Sequence, residues 1–469
     1  MARADARCRA EIPVTVITNG HSDGPFETRT ANLGLGGAFL NSEISIPLDE
    51  IIKIKGNLPI HGEFEVQGRV LRMEKQGIAV KFSDIDGQIK EALWQFIREY
   101  LENDTECPYC GSEKADPSER CMKCGLSINF SCPLTKAERE EARAKCELIL
   151  DRAVTEFNEK LEDIENRFDL TYADSLLRET TNAIYEACDL CKKIEEEIGE
   201  DPEFLKEKQV EFRTRTHPLF SKSYFMNHAR VWPKGYPGDY KIIESIYRNI
   251  PVSAGVGHLL DLHFLNAALA VAVRERLVKL KELLKEELKE RTGPRILNIA
   301  CGSCREIFEL VPDLAKARAS VTCLDTDSDA LSFAYNRLSY AFDIWSAVTM
   351  RKYNALRMFN QEKNLKEFGP QDIIYSIGLV NYMSDDMLIR LVGSLYALLK
   401  PKGKLIIGIE DGGRYRTQEY HWFVDWVKLI GRTEYDSRLL FEKAGIAEDA
   451  LKLERDRSGV IIFCMAEKP

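Results

Sequence analysis

Short runs of apolar and β-branched residues alternate with Gly, Asn, Asp and Pro over the first hundred residues. This pattern predicts short strands separated by turns, over residues 12–18, 38–40, 51–55, 63–72 and 77–82. A helix is predicted directly after them, because Ile89, Leu93, Phe96 and Ile97 recur at helical spacing. Residues 1–103 therefore predict a small β-rich domain.

A highly charged stretch follows, with apolar residues recurring every three and four positions over residues 134–215. Such spacing is typical of helices that pack together or coil around one another. We expect a helical linker here, and the same helices could join two copies of the chain as a homodimer.

Strand and helix signals alternate in the last part of the chain. Residues 216–292 contain an aromatic and glycine-rich loop and then a predicted long helix over 259–289. Seven strands are predicted. The first begins at 295, the second ends at 325, the third lies near 353–355 and the fourth covers 372–383. The fifth follows the Lys-Pro-Lys-Gly turn at 400–403, and the last two cover 451–455 and 460–466. This alternation predicts a parallel sheet covered by helices.

The composition is that of an ordinary soluble chain of several domains. Of 469 residues, 44% are hydrophobic and 30% charged, and the net charge of −10 disfavours non-specific binding to nucleic acid or anionic lipid. No apolar stretch approaches the roughly 20 residues of a membrane span, and the first residues lack the apolar core of a secretory signal. We expect a cytoplasmic protein without a transmembrane segment.

A turn of small residues follows the strand that begins at 295. Ala300, Gly302, Ser303 and Cys304 leave room for a ligand against the backbone, and the next helix adds free N–H groups. The second strand ends in Asp325, with Asp327 just behind it, and an acid there suits hydrogen bonds to a ribose diol. Asn354 and Ala355 follow the third strand, where Asn354 could meet an adenine edge.

This order of motifs resembles the class I S-adenosylmethionine (SAM)-dependent methyltransferases. The resemblance implies a Rossmann-type α/β domain over 293–469, with a mostly parallel seven-stranded sheet and residues 216–292 as its helical cap. It also implies SAM as cofactor. The family pattern has glycines where Ala300 and Cys304 stand and an acid where Asn298 stands. A Rossmann-type domain that has lost its cofactor is the alternative.

The flanking segments show a closer resemblance. Lys234–Tyr240 (KGYPGDY), residues 270–277, 374–385 and 422–434 resemble the bacterial extracellular-factor (3-hydroxypalmitic acid methyl ester) biosynthesis proteins. That resemblance implies methylation of a carboxylate on a long-chain hydroxy acid, a lipid-like small-molecule acceptor.

Several side chains are candidates to hold such an acceptor. Tyr240, Arg274 and Arg276 could orient a carboxylate, and we assign the catalytic roles to Tyr240 and Arg274. Trp422, Phe423 and Trp426 could line an apolar channel, although packing in a core accounts for them equally well. Asp239 is expected to cap the next helix.

Two cysteine pairs of the same spacing occupy residues 104–133. Cys107 and Cys110, and Cys121 and Cys124, are each followed by glycine, which permits the tight turn that brings two thiolates to one metal. Four thiolates satisfy tetrahedral Zn²⁺, so we expect a structural zinc ribbon.

The first domain resembles the PilZ domain, a six-stranded barrel that binds cyclic di-GMP. The resemblance rests on Arg3 and Arg7 before the first strand and on the motif Asn32-x-Gly34-x-x-Gly37. Paired arginines suit phosphates and guanine faces. The family has a hydroxyl-bearing residue where Gly34 stands, so a barrel that has lost its ligand is the alternative.

The sequence therefore predicts a SAM-dependent methyltransferase regulated by cyclic di-GMP. The alternative is a non-catalytic cyclic di-GMP effector whose methyltransferase-like half is a protein-interaction platform. Methylation of nucleic acid is disfavoured, because the fourth strand carries GLVNYM rather than Asn/Asp-Pro-Pro-Tyr/Phe.

Overall fold

A computed structural model describes residues 7–18, 24–42, 44, 46–74, 76–83, 85–102, 136–198, 201–341, 344–427 and 429–469. The chain forms two compact units, Met1–Lys145 and Cys146–Pro469. Arg3 and the four expected zinc ligands (Cys107, Cys110, Cys121 and Cys124) lie outside the described residues. The zinc ribbon therefore stays a prediction.

The N-terminal unit is a closed antiparallel barrel of six strands. Its elements are β1 Arg7–Cys8, β2 Pro13–Thr18, β3 Phe26–Gly34, β4 Gly37–Asn41, β5 Ile51–Leu58, β6 Gly62–Glu74, β7 Gly77–Ser83 and helix α1 Gly87–Glu102. The strand order is β3-β2-β5-β6-β7-β4, β4 pairs back onto β3, and the short β1 is added to β3. Buried Leu93, Trp94, Phe96 and Ile97 of α1 pack onto the barrel core.

Strand β3 has no counterpart among the predicted strands. Its sequence, FETRTANLG, contains few apolar residues, so its alternation is carried by polar side chains. Buried Thr30 accepts a hydrogen bond from Ile12 N (2.9 Å) and donates to the Ala10 carbonyl. These bonds satisfy a hydroxyl that would otherwise be costly to bury.

The sheet of the C-terminal unit is mixed. Its strands are β8 Arg295–Ile299, β9 Ser320–Asp325, β10 Val348–Lys352, β11 Gln371–Ser376, β12 Leu399–Glu410, β13 Leu451–Arg455 and β14 Ile461–Glu467, in the order β10-β9-β8-β11-β12-β14-β13. The first five in that order pair in parallel, and β14 is antiparallel to both of its neighbours. The chain turns in opposite directions on the two sides of β8, which opens a crevice at the carboxyl ends of the strands.

The remaining elements are helices. They are α2 Lys136–Asn166, α3 Ala173–Ile198, α4 Pro202–Phe220, α5 Tyr224–Val231, α6 Tyr240–Arg248, α7 Val256–Asn266, α8 Ala268–Lys289, α9 Arg305–Glu309, α10 Val311–Ala317, α11 Ser328–Leu338, α12 Gln361–Phe368, α13 Asp385–Ala397, α14 Gln418–His421 and α15 Glu434–Lys443.

The helices of the expected linker pack, from Cys146 onward, within the C-terminal unit. Phe157 of α2 and Phe212 of α4 lie 5.3 Å and 5.0 Å, between ring centroids, from Phe423. Trp422 Nε1 donates to Glu195 of α3 at 2.8 Å. The apolar faces of these helices are thus covered by aromatic residues of the same unit.

The predicted long helix over 259–289 is wrong in one respect. Ala267 is extended (φ −64°, ψ 151°) and separates α7 from α8, which are bent by 52° relative to each other. Alanine favours helix, so the residue at the break does not predict it from local sequence. The break is therefore attributed to tertiary packing. The fourth strand is also shorter than predicted, since β11 ends at Ser376.

Among the described helices, none alone combines the length and apolar composition of a membrane span. The bent pair α7 and α8 meets that measure only when both members are taken together.

Candidate functional site

A cavity of about 300 Å³ lies at the carboxyl ends of β8, β9, β11 and β12. Its wall includes the turn after β8 at one side and the end of β12 at the other. Parallel strands present their last residues to the same edge of a sheet, which is where ligands of this type of fold bind. Cavities of this size suit small organic molecules.

The turn after β8 has an unusual backbone. Ala300, Gly302 and Cys304 have φ values of 56°, 53° and 49°, in the left-handed region that favours glycine. A Cβ placed on Gly302 would have nothing within 4 Å, so open space lies above it. Ala300 and Cys304 thus adopt a left-handed conformation that favours glycine, at the two positions where the methyltransferase pattern has glycine.

Asp325 closes this turn from the neighbouring strand. Its Oδ2 accepts from Gly302 N at 2.8 Å and its Oδ1 from Asp327 N at 2.9 Å. Burial raises the pKa of Asp325, while these backbone bonds act in the opposite direction. Each carboxylate oxygen has a second lone pair, so the side chain lining the cavity can still accept two hydrogen bonds from a diol.

Both side-chain oxygens of Asp327 accept hydrogen bonds from other parts of the protein. Its Oδ1 accepts from Asp329 N at 2.8 Å and caps α11, and its Oδ2 accepts from the Tyr236 hydroxyl at 2.9 Å. It lies beside the cavity rather than in its wall. Tyr236 and Tyr240 do belong to the wall, and the KGYPGDY segment thus covers the turn.

Asn354 and Ala355 are not brought to the site. Strand β10 ends at Lys352, and exposed Asn354 accepts from Leu356 N at 2.9 Å to cap a short 3₁₀ turn. Neither residue lines the cavity.

Ser303 is tied to the segment that precedes the core. Its hydroxyl donates to Glu244 Oε1 at 2.6 Å, and Glu244 also binds Arg337 and Arg305. Glu244 lies on α6, directly after KGYPGDY. Asp239 begins that helix, because its Oδ1 accepts from Lys241 N at 2.8 Å, as expected of a cap.

A buried polar network lies beneath the turn. Glu306 Oε1 accepts from Asn298 Nδ2 at 2.8 Å and from the Tyr375 hydroxyl at 2.9 Å. Burial raises the pKa of Glu306 to about 7. The thiols of Cys301, Cys304 and Cys323 are buried beside it.

The far end of the cavity holds three buried polar atoms without a partner among the described residues: Arg276 Nε, Glu410 Oε2 and Trp426 Nε1. Glu410 is the last residue of β12, and burial raises its pKa. Buried polar atoms are nearly always hydrogen-bonded, so three orphans around one cavity indicate a missing ligand or water.

Arg274 lies elsewhere. Its Nη1 donates to the Leu265 carbonyl at 2.7 Å, across the break between α7 and α8, and it does not line the cavity. Trp422 and Phe423 are buried among the helices described above, so of the three aromatic candidates only Trp426 reaches the cavity.

The barrel brings together most of its expected ligand residues. Arg7 pairs with Gly34 across β1 and β3, and Arg7 Nη1 donates to Asn32 Oδ1 at 3.2 Å. Gly34 and Gly37 face each other across a two-residue turn. A Cβ on Gly37 would lie 2.2 Å from the Val80 carbonyl oxygen, so only glycine fits there.

A family model described as the PilZ domain matches residues 2–99, and one described as a methyltransferase domain matches residues 297–405. The chain thus carries a PilZ domain and a methyltransferase domain. No curated protein matches it significantly.

Similar solved structures include a "possible exported protein" from Bordetella parapertussis (17% identity, 69% of this chain, 97% of that chain, TM-score 0.44). Another is magnesium protoporphyrin IX methyltransferase from Synechocystis PCC 6803 with bound S-adenosylhomocysteine (14% identity, 43% of this chain, 86% of that chain, TM-score 0.34). A third is an O-methyltransferase family protein from Burkholderia thailandensis (14% identity, 43% of this chain, 59% of that chain, TM-score 0.33). This chain spans 59% of the last of these.

Two acids of the cavity, Glu306 and Glu410, were not among the predicted site residues. A signal existed for each. Glu410 ends a predicted strand of a parallel sheet, a position that faces the ligand edge. Glu306 follows the small-residue turn by two positions, in a chain that has Asn298 where the family has an acid.

Proposed function

We propose that the C-terminal unit is a class I SAM-dependent methyltransferase acting on the carboxylate of a long-chain hydroxy acid, and that cyclic di-GMP binding to the PilZ domain regulates it. One observation carries the enzymatic part. A single cavity joins the turn at Ala300–Ser303 and Asp325 to polar atoms of Arg276, Glu410 and Trp426 that have no hydrogen-bond partner in the described part of the chain.

The residues of the turn fit the cofactor. Gly302 leaves open space for a nucleoside, and the Asp325 carboxylate can accept from the two ribose hydroxyls. SAM, when bound, supplies an electrophilic methyl group on its sulfonium. The protein then needs to hold an acceptor oxygen in line with that methyl group and to exclude water.

The far end fits an acid that also bears a hydroxyl. A carboxylate is already nucleophilic at neutral pH, so no strong base is required. Arg276 Nε and Trp426 Nε1 are donors for its oxygens, and Glu410 Oε2 is an acceptor for a hydroxyl group. Apolar residues such as Leu269, Val273 and Leu277 line the same cavity and suit an alkyl chain.

Titration calorimetry of the full chain with SAM tests the cofactor site. We expect binding by the wild type and a loss of about 10- to 100-fold in affinity for Asp325→Ala, the range for hydrogen bonds to a charged group. Asp313→Ala is the control, because the Asp313 side chain is exposed, pairs with Lys285 and does not line the cavity. A chain that binds cyclic di-GMP but no SAM would overturn this proposal and favour the non-catalytic effector.

A further inference from the structure

Among described residues, the acids that line the cavity are Asp325, Glu306 and Glu410. Asp325 lies at the β9 side of the turn and Glu410 at the end of β12. Glu306 lies between them in the sheet order, beneath the turn and next to Tyr375 of β11. The proposed function gives a task to the first and the last of these acids and leaves Glu306 without one.

Glu306 has no cationic partner in the described part of the chain. Its described side-chain contacts are the two donors Asn298 and Tyr375, and both end on Oε1. By contrast, buried Glu244 nearby is neutralised by Arg337 and Arg305. A buried carboxylate without a counter-ion is costly, and burial accordingly raises the pKa of Glu306. A cationic ligand group would remove that cost.

The cofactor has such a group at one end. Its diol and its α-ammonium lie at opposite ends of the molecule. If Asp325 of β9 holds the diol, the aminoacyl end crosses the turn toward β11, where Glu306 is the next acid in the cavity wall. We infer that the Glu306 carboxylate binds the α-ammonium of SAM and that Asn298 and Tyr375 position it. This inference rests on the proposed function.

Glu306→Gln separates this role from a purely structural one. Glutamine keeps an Oε1 that can accept from Asn298 and Tyr375, so the network survives while the charge is lost. The probes are S-adenosylhomocysteine (SAH), which has the ammonium, and 5′-methylthioadenosine, which keeps the nucleoside and sulfur but lacks the aminoacyl tail.

Calorimetry at pH 8 should show SAH binding weakened by about 10- to 100-fold in Glu306→Gln, with methylthioadenosine binding unchanged. Glu309→Gln is the matched control, because Glu309 ends the same helix but pairs with Lys281 and Arg305 outside the cavity. The double variant Asn298→Asp with Glu306→Gln exchanges acid and amide and should recover most of the lost SAH affinity.

The outcomes are distinguishable. Equal weakening of SAH and methylthioadenosine, or wild-type SAH affinity in Glu306→Gln, would overturn the inference and leave the methyltransferase proposal intact. If Glu306→Gln does not fold, the double variant Asn298→Asp with Glu306→Gln is measured instead. SAH binding by this double variant that is weakened relative to its methylthioadenosine binding would overturn the inference. A wild-type chain that binds neither ligand overturns the proposed function, and the inference falls with it.

Discussion

Arg337 and Glu244 form a two-point ion pair, with Nη1 donating to Oε1 at 2.7 Å and Nη2 to Oε2 at 2.5 Å. Arg337 also donates to the Ser303 carbonyl at 3.2 Å, and the Ser303 hydroxyl donates to Glu244. The pair therefore links α6, which follows the KGYPGDY segment, to the turn after β8 and to α11.

Glu244→Gln should destabilise the C-terminal unit. Burial raises the pKa of Glu244, but the hydrogen bonds from Arg337 and Ser303 lower it by more, so the net shift is downward. The carboxylate is therefore charged at neutral pH. Removing that charge leaves Arg337 half-buried and uncompensated, which costs about 3 kcal/mol. Urea unfolding followed by tryptophan fluorescence measures the change.

The control for Glu244 is Asp313→Asn, since Asp313 pairs with Lys285 at an exposed site (3.8 Å) and should cost less than about 1 kcal/mol. SAH affinity should also fall in Glu244→Gln, because the variant loses the charge that holds Arg337, and Arg337 also donates to the Ser303 carbonyl. A stability equal to that of Asp313→Asn would show that the ion pair does not hold the turn.

Arg276 and Arg274 should behave differently in catalysis. Arg276→Ala removes a donor at the far end of the cavity and should lower kcat/KM for the acceptor by about 100-fold without changing SAM affinity. Arg274→Ala should retain turnover, contrary to the role that the sequence suggests, because Arg274 contacts Leu265 outside the cavity. Transfer of a radiolabelled methyl group to a hydroxy fatty acid measures both variants, and equal losses would contradict the assignment.

The sequence predicts what local pattern controls. The strand ending at Asp325, the terminal strand 451–455 and the barrel strands around β5 to β7 all follow apolar periodicity and are found. Strand β3 is missed because its buried face includes a hydrogen-bonded threonine. The break at Ala267 and the 3₁₀ turn at Asn354 depend on packing partners distant in sequence. Glu306 and Glu410 can be recognised as cavity residues only from the sheet order, which brings the ends of β8 and β12 to the same cavity.

Arg7→Ala should weaken cyclic di-GMP binding by about 10- to 100-fold. Arg7 and Asn32 are already in contact on the barrel surface, so a phosphate or guanine edge meets a guanidinium held in place. Arg29→Ala is the control, since Arg29 is an exposed arginine of β3 whose contact is a loose pair with Glu11 (3.9 Å). Calorimetry measures each variant, and a wild type that gives no heat at high micromolar ligand refutes the regulatory proposal.

Glu306 should also make the stability of the ligand-free protein pH-dependent. Burial raises its pKa from 4.5 to about 7. Among the described residues, the titratable groups that face it are Cys304, Cys323, Tyr375 and Tyr247. Between these two pKa values the folded protein binds a proton that the unfolded chain has lost. The free energy of unfolding should therefore fall as the pH rises from 4.5 to 7, by about 3 kcal/mol, and level off above it.

Thermal unfolding of the wild type and Glu306→Gln between pH 5 and pH 8 measures this effect. The difference in melting temperature should grow in favour of Glu306→Gln as the pH rises, because glutamine carries no charge to bury. Glu309→Gln should give a profile parallel to that of the wild type. Burial raises the pKa of Glu309, but the hydrogen bonds from Lys281 and Arg305 lower it by more, so the net shift is downward. The contribution of Glu309 to the free energy of unfolding therefore changes only at more acidic pH. Parallel profiles for wild type and Glu306→Gln would contradict this prediction, because they would mean that Glu306 does not titrate between pH 5 and pH 8 in the folded protein.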